Sequence, residues 1–236
     1  MPVTPASSAA PAAASLFDVV GDGSPFVRHV GLFIEHVSAQ VVGGHAAANI
    51  EVIDMGPPLP SGQPMHADVI GTAALTADEQ QKIRTFVDRH VLEHQALKTL
   101  GLTLANLSKG YCICPHAAAL TEADGRCVRM KFSCAGFVFE AYKFANINLM
   151  DAQRLPAVDL SMIQKAYPAF SSFLNRPVMR AALGLSEVGP WPIMLCGYLF
   201  HALARSSQLI RQTPHIAQPG QEQFPQGMVR SRWLGQ

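Results

Sequence analysis

The stretch at 127–145, CVRMKFSCAGFVFEAYKFA, decides the fold, because it predicts a strand that runs directly into a helix. Ser133 is a favourable N-cap residue, and Cys134 follows it in the first turn of the predicted helix. Unpaired backbone amides and the helix dipole favour an anion there, so we expect the pKa of the Cys134 thiol to be lowered. The next residues, Ala135 and Gly136, are small and let another chain approach the sulfur. The pattern is that of a nucleophilic cysteine, although a buried structural cysteine has the same appearance.

A second stretch, His29–Glu35 (HVGLFIE), predicts a buried strand because both of its faces are apolar. His29 and Gly31 fall on the same face of that strand, since side chains alternate. The absent side chain at Gly31 leaves space beside the imidazole, where the end of a helix could dock. A neutral imidazole there could accept the thiol proton of Cys134 and later donate it to a leaving group. The simpler interpretation of His29 is a histidine packed within a strand.

Together the two stretches resemble boxes of the NlpC/P60 papain-like cysteine peptidases. Cys134-Ala-Gly-Phe-Val138 is similar to the Cys-Ser-Gly-Phe/Leu-Val box at the nucleophile helix of that family. His29-Val-Gly-Leu-Phe-Ile34 is similar to its His-Val-Gly-Ile-Tyr box. The histidine here precedes the cysteine by 105 residues, an order that resembles the circularly permuted branch, which includes lecithin–retinol-acyltransferase-like proteins. The likeness covers residues 17–145, and Ala135 stands where the family usually has serine.

The resemblance implies a circularly permuted papain-like α+β fold. In that fold an antiparallel sheet bearing His29 packs against the helix headed by Cys134, and additional helices follow towards the C-terminus. The implied activity is cysteine-dependent hydrolysis or acyl transfer at an amide or ester, through a thioester intermediate. The oxyanion would sit near the Cys134 backbone amide, and no cofactor is implied. The expected substrates are peptides, other amides or lipid esters.

A third catalytic residue orients the imidazole, and in the family it lies on the strand after the histidine strand. Here that strand is predicted at 49–55 (NIEVIDM), where Ile50-Glu51-Val52 is similar to an Ile-Glu-Ala pattern of permuted members. We therefore expect Glu51 in this role, with Asp54 and His45 as alternatives. A carboxylate on so apolar a strand needs a partner, unless it faces outwards into water.

Composition limits the compartment and the partners of the chain. Hydrophobic residues make up 49% of it and charged residues 15%, which excludes a disordered protein. The formal net charge of +1 lacks the basic excess that a phosphate backbone requires, so no nucleic-acid partner is expected. Five cysteines exclude a complete disulfide framework and favour a reducing, cytoplasmic location. The longest apolar run, at 192–204, is too short for a transmembrane span.

A second constellation competes with the cysteine–histidine pair. It consists of Cys112, Cys114, His116 and Cys127, and three thiolates with one imidazole suit tetrahedral zinc. The spacing differs from that of the common zinc knuckles. The alternatives to an enzyme are therefore a zinc-stabilised domain and a catalytically inactive papain-like protein for binding or assembly.

The chain divides by composition into three segments. Residues 1–15 are a flexible Ala/Ser/Pro arm, residues 16–205 form the catalytic domain, and residues 206–236 are a tail rich in Gln, Pro and Gly. Because the tail has few core-forming side chains, we expect it to lie outside the core and to serve a homo-oligomer or a protein partner.

Within the domain the predicted elements are mixed in order, which is typical of the α+β class. A capping box at Thr76–Glu79 predicts a helix through Leu97. Within 159–205, three short helices are predicted around Met162–Phe173, Pro177–Leu185 and Ile193–Ala204. The proline-rich run 56–64 is predicted as a loop. Strands are predicted at 17–20, 29–35, 49–55, 110–115 and 127–132.

Overall fold

The computed structural model describes residues 15–22, 29–42, 45–56, 59–65, 68–97, 104–185 and 188–222. Residues 1–14, which make up nearly all of the expected arm, and residues 223–236, at the end of the expected tail, lie outside these ranges. The elements between them are mixed helices and small antiparallel sheets, so the α+β class is confirmed.

The first third of the chain forms a five-stranded antiparallel sheet. Its strands are β1 (Val19–Asp22), β2 (His29–Val42), β3 (His45–Gly56), β4 (Leu59–Met65) and β5 (Asp68–Gly71). They lie in the order β4–β3–β2–β1–β5, which places β2 at the centre. The strands expected near 17–20, 29–35 and 49–55 are therefore present.

The run 56–64 was expected to be a loop, and this expectation is wrong for residues 59–64, which belong to β4. The position of β4 at the edge of the sheet explains the difference, because an edge strand tolerates residues without an N–H. Pro60 and Pro64 pair in register with Met55 and Glu51 of β3.

The helix α1 (Ala77–His94) begins at the expected capping box. The Thr76 hydroxyl accepts from the Glu79 amide at 3.3 Å, and the Glu79 carboxylate accepts from the Thr76 amide at 2.7 Å. The remaining helices are α2 (Leu104–Gly110), α3 (Cys134–Phe144), α4 (Leu160–Ala166), α5 (Ser171–Leu174), α6 (Pro177–Ala182), α7 (Cys196–Leu203) and α8 (Ser207–Gln212).

The remaining strands are β6 (Ala117–Thr121), β7 (Cys127–Phe132), β8 (Ala157–Val158) and β9 (Trp191–Pro192), paired as β6–β7 and β8–β9. The strand expected at 110–115 is absent from this described part of the chain. Only Tyr111 forms an isolated bridge there, to Phe132. The amide of Ile113 instead donates to the Leu183 carbonyl at 2.8 Å, so this segment bonds to the turn after α6.

The helix α3, which begins with Cys134, lies at the centre of the packing. It contacts β2 and β3 of the large sheet on one side, and α1 and α7 pack against it as well. Its residues Phe137, Val138 and Ala141 are completely buried. Within the described residues, no helix combines the length and the apolar character needed to cross a membrane.

The packed structure continues beyond the boundary expected at residue 205. Ile210 of α8 exposes only 1% of its surface. The Arg211 guanidinium donates to the carbonyls of Ala73 and Ala74 and to the Glu79 carboxylate. Residues 206–222 are therefore held by the body of the protein.

Candidate active site

Cys134 is the first residue of α3, where the sequence places it. The Ser133 side chain accepts a hydrogen bond from the Gly136 amide at 2.9 Å and so caps the helix. A Cβ atom on Gly136 would lie 2.0 Å from the His116 carbonyl oxygen, so this close approach requires glycine. The cap and the glycine together fix the first turn of α3, and with it the Cys134 sulfur.

His29 is the first residue of β2, and its partly buried side chain forms a hydrogen bond with the Cys134 thiol. The two residues are 105 positions apart in sequence, and the packing of α3 on β2 brings them together. The structure thus unites the two residues that the separate sequence boxes singled out.

A second sulfur lies at the same place. Cys196 is the first residue of α7, and its Sγ atom lies 3.3 Å from Sγ of Cys134. Both side chains are buried, with 1% of Cys134 and 3% of Cys196 exposed. The N-termini of two helices therefore meet at a pair of reduced cysteines.

The two thiols differ in their readiness to ionise. The pKa of Cys134 lies well below its ordinary value, chiefly because of the hydrogen bond with Cys196. Burial acts in the opposite direction, and the hydrogen bond and charge of His29 lower the pKa further. The pKa of Cys196 is raised well above its ordinary value by its hydrogen bond to Cys134 and by burial. The pair therefore ionises more readily at Cys134 than at Cys196.

Two tyrosine hydroxyls border the thiolate. The Tyr111 hydroxyl donates to Cys134 Sγ over a long distance of 4.0 Å. The Tyr167 hydroxyl lies near the Ser133 side chain, but no hydrogen bond of ordinary geometry holds it within the described part of the chain. Burial raises the pKa of both phenols, so both remain protonated donors. Such donors can stabilise negative charge that develops beside the sulfur.

The expected third residue is on β3, whose side chains at His45, Glu51 and Asp54 lie outside the described residues. The backbone register is nevertheless given: Asp54 pairs with Gly31, and Glu51 pairs with Glu35. Asp54 therefore lies opposite the residue two positions after His29, whereas Glu51 lies opposite the residue six positions after it, beyond the register shift between Phe33 and Glu35. His45 pairs with Val42 at the far end of the hairpin.

Asp22, which sequence reasoning did not consider, is the register partner of His29 on β1. Its side chain also lies outside the described residues. By register, His29 therefore has an acidic residue on each flanking strand, Asp22 on β1 and Asp54 on β3.

The structure does not bring the proposed zinc ligands together. Cys112 is buried, and the Cys114 thiol donates to the Pro192 carbonyl at 3.7 Å. His116 Nε2 lies 3.2 Å from the Glu140 carboxylate, and Cys127 is exposed. Among the residues that the structure describes, no three histidine, cysteine or acidic side chains form a metal-binding cluster.

Sequence reasoning also missed Cys196 and the two tyrosines. The helix was expected to start at Ile193, which would have placed Cys196 in its interior, but it starts at Cys196. One signal was available: Cys134 and Cys196 are each followed within two residues by a glycine. A Cβ atom on Gly197 would lie 2.3 Å from the Glu222 carbonyl oxygen, so both glycines permit a close approach of the backbone beside a cysteine.

Comparison with known proteins gives no further information on this site. No family model matches the chain, and neither a curated protein nor a solved structure matches it.

Proposed function

We propose that this chain is a cysteine-dependent hydrolase or acyltransferase with a circularly permuted papain-like fold, acting on an amide or ester. The observation that carries the proposal is the position of the Cys134 sulfur, at the N-terminus of α3 and in hydrogen-bond contact with His29. A helix N-terminus and a neighbouring imidazole are two devices that lower the pKa of nucleophilic cysteines. A cysteine that only packs in the core needs neither a helix N-terminus nor a neighbouring imidazole.

The arrangement of elements supports the fold proposed. The histidine lies at the start of a strand in an antiparallel sheet, and the nucleophile helix packs against that strand. The strand precedes the helix in the chain, which is the permuted order. Cysteine and histidine therefore reach each other across the interface between the sheet and α3.

The residues present are sufficient for acyl transfer. The Cys134 thiolate attacks the carbonyl carbon, and the carbonyl electrons move onto oxygen. The Cys134 amide and the Tyr111 hydroxyl are the donors next to that oxygen. The His29 imidazolium then donates its proton to the leaving amine or alcohol, and a thioester remains on Cys134. Water or a second acceptor, deprotonated by His29, attacks the thioester and releases the thiol.

The burial of Cys134 restricts the substrate. Because only 1% of its surface is exposed, a bulky group on both sides of the scissile carbonyl would collide with the protein. A carbonyl carried on an unbranched chain is the shape that suits this site. The test should therefore use slender substrates and small electrophiles.

The proposal is tested by trapping the thioester. The protein is mixed with p-nitrophenyl esters of unbranched acyl chains and, separately, with peptide p-nitroanilides, and quenched in acid. We expect a burst of nitrophenol or nitroaniline and an acyl adduct on the peptide that contains Cys134. The adduct should be absent from Cys134→Ala and present in Cys127→Ala, which removes an exposed cysteine instead. The preferred probe identifies an ester or an amide substrate.

One outcome would contradict the proposal. If no adduct forms and Cys134 also fails to react with iodoacetamide at neutral pH, the chain is a papain-like protein for binding or assembly. An adduct on Cys112 or Cys114 would likewise remove Cys134 from the nucleophile's role.

A further inference from the structure

The contact between Cys134 and Cys196 has no role in the acyl-transfer steps. Their sulfur atoms are 3.3 Å apart, although the residues are 62 positions apart in sequence and belong to different helices. A disulfide has a sulfur–sulfur distance of about 2.05 Å, so a movement of about 1.3 Å would close it. Each cysteine is the first residue of its helix, where a small shift of one turn supplies such a movement.

The chemistry of the two sulfurs is suited to stepwise oxidation. The thiolate form of Cys134 is the form that reacts with hydroperoxides, and the Cys196 thiol lies in hydrogen-bond contact with Cys134. A hydroperoxide is also small enough for a site where 1% of the nucleophile is exposed. An oxidised Cys134 would therefore meet a resolving thiol before a second oxidant molecule arrives.

We propose that Cys134 and Cys196 form a reversible disulfide when a hydroperoxide oxidises Cys134, and that this bond switches the nucleophile off. The disulfide depends only on the geometry of the two cysteines, whereas its regulatory effect rests on the proposed function. In a reducing compartment such a bond is transient, as disulfides of signalling cysteines are.

The steps balance with the hydroperoxide as the only oxidant. The Cys134 thiolate attacks the outer oxygen of the hydroperoxide, the O–O bond breaks, and the leaving alkoxide or hydroxide takes the proton of the His29 imidazolium. Cys134 is now a sulfenic acid. The Cys196 sulfur attacks the Cys134 sulfur, its proton passes to His29, and hydroxide leaves and is protonated to water. Two thiols and one hydroperoxide thus yield one disulfide, one alcohol or water, and one further water.

The other cysteines provide controls within the same chain. Cys112 is as buried as Cys134, but burial raises its pKa to about 12. Burial also raises the pKa of Cys114. Cys127 is exposed, and its thiol contacts the Arg129 carbonyl. In the described part of the chain, none of these three has a second sulfur in hydrogen-bond contact, as Cys134 and Cys196 have.

The experiment treats the 236-residue chain with stoichiometric hydrogen peroxide and maps its peptides without reduction. We expect a linked peptide pair containing Cys134 and Cys196, and an intact mass about 2 Da lower, the mass of two hydrogens. Labelling of Cys134 by iodoacetamide should disappear and return after dithiothreitol.

Two variants test whether Cys196 is the resolving thiol. In Cys196→Ser, excess peroxide should drive Cys134 to the sulfinic acid, and dithiothreitol should no longer restore its labelling. Cys112→Ser, which changes an equally buried cysteine, should behave like the unaltered chain. The peptide map of the unaltered chain decides the question even if a variant does not fold.

The outcomes distinguish this proposal from the enzymatic one. A linkage between Cys112 and Cys114, or full recovery of labelling in Cys196→Ser, would overturn the disulfide. Suppose that the Cys134–Cys196 disulfide forms and is reversed, but that no probe acylates the protein. The disulfide is then confirmed, whereas its regulatory role and the proposed function are both wrong. If the thioester forms and turnover survives peroxide without any link, the proposed function stands and this inference is wrong.

Discussion

Burial and hydrogen bonding act in opposite directions on the Cys134 thiol, and the hydrogen bonds decide its charge. Cys112 shows what burial does alone: with 1% of its surface exposed, its pKa rises to about 12, and the nearby Lys131 charge does not offset the loss of water. Cys134 is equally buried, yet its pKa falls. The difference lies in the donors Cys196, His29 and Tyr111, which surround Cys134 and replace water as partners of a thiolate.

The contribution of His29 can be measured through the rate of alkylation. In His29→Ala the thiolate loses an imidazole partner, so the pKa of Cys134 should rise towards the ordinary value of about 8.5. Since only the thiolate reacts, we expect iodoacetamide labelling to slow by about tenfold or more at pH 6.5 and little at pH 9.5. Mass spectrometry of the Cys134 peptide gives the rate at each pH.

A histidine outside the site serves as the matched control. His215 contacts Gln221, and His215→Ala should leave the labelling rate unchanged at both pH values. Equal slowing of the His29→Ala variant at pH 6.5 and 9.5 would indicate altered access to the sulfur. The ion pair, and the enzymatic proposal with it, would then be wrong.

The same assay ranks the acidic residues beside His29. Sequence reasoning favours Glu51, whereas the register of β2 and β3 pairs Asp54 with Gly31, two positions from His29, and Glu51 with Glu35, six positions from it. We expect Asp54→Asn to slow labelling at pH 6.5 more than Glu51→Gln does, because a carboxylate paired nearer to His29 is better placed to orient the imidazole. Asp22→Asn tests the partner on β1 in the same way. A larger effect of Glu51→Gln would show that the register argument fails.

At the scale of single residues, the sequence predicts those candidate site residues that have a recognisable local sequence pattern. Cys134 follows a good N-cap residue, and His29 stands before a glycine on an apolar strand, so each carries its own pattern. Cys196 carries only a following glycine, and that pattern does not encode its contact with Cys134, a residue 62 positions away in another helix. The same holds for Tyr111 and Tyr167, which are typical core residues until the fold places them beside a thiolate.

At the scale of elements, the start of α3 positions Cys134, and a pair of capped helices allows a matched test. Ser133 caps α3 and Thr76 caps α1, each by accepting from the amide three residues later. Ser133→Ala and Thr76→Ala should each destabilise the protein, by about 1 kcal/mol, and more for the buried Ser133. Urea unfolding gives the two values.

The two variants should differ in the reactivity of the site. Loss of the Ser133 cap loosens the turn that holds Cys134 against His29, so iodoacetamide labelling at pH 6.5 should slow. Thr76→Ala, remote from that turn, should label at the original rate. If both variants label alike, the cap stabilises α3 without positioning its cysteine.

Helices and strands were predictable where the local sequence pattern matches the tertiary environment of the segment. The capping box of α1 and the Ser133 cap of α3 mark helix starts that the structure retains. The prolines of β4 pointed to a loop, because a sequence pattern does not show that a strand will lie at the edge of the sheet. At 110–115 the apolar residues favoured a strand, but the amides of Ile113 and Cys114 donate to the Leu183 carbonyl in the turn after α6. Tertiary partners decided both cases.

At the scale of the molecule, the composition of residues 206–236 did not predict how the described part of this segment, 206–222, packs. Their Gln, Pro and Gly content indicated a tail from residue 206, yet Ile210 is buried and Arg211 joins α8 to Ala73, Ala74 and Glu79. Further along, the Tyr198 hydroxyl of α7 donates to the Glu222 carboxylate at 3.1 Å. A few well-placed side chains therefore hold a segment whose average composition is polar.

Two truncations test this attachment. Ending the chain at Arg205 removes the burial of Ile210, the Arg211 hydrogen bonds and the Glu222 contact with Tyr198. We expect a loss of about 3 kcal/mol in the free energy of unfolding, since burying one isoleucine contributes about 1.5–3 kcal/mol and the hydrogen bonds add to it. Ending the chain at Glu222 keeps all these contacts and should leave the urea midpoint close to that of the 236-residue chain.

The truncation at Arg205 should also alter the site, because Glu222 lies against the turn that begins with Cys196. The Gly197 Cα approaches the Glu222 carbonyl so closely that a Cβ atom there would lie 2.3 Å from the oxygen. Without that support the N-terminus of α7 can move away from α3, and Cys134 loses the hydrogen bond that contributes most to its low pKa. Labelling at pH 6.5 should therefore slow in the chain ending at Arg205 and not in the chain ending at Glu222. Equal stability and equal labelling of the two truncated chains would restore the boundary at residue 205 that the composition indicated.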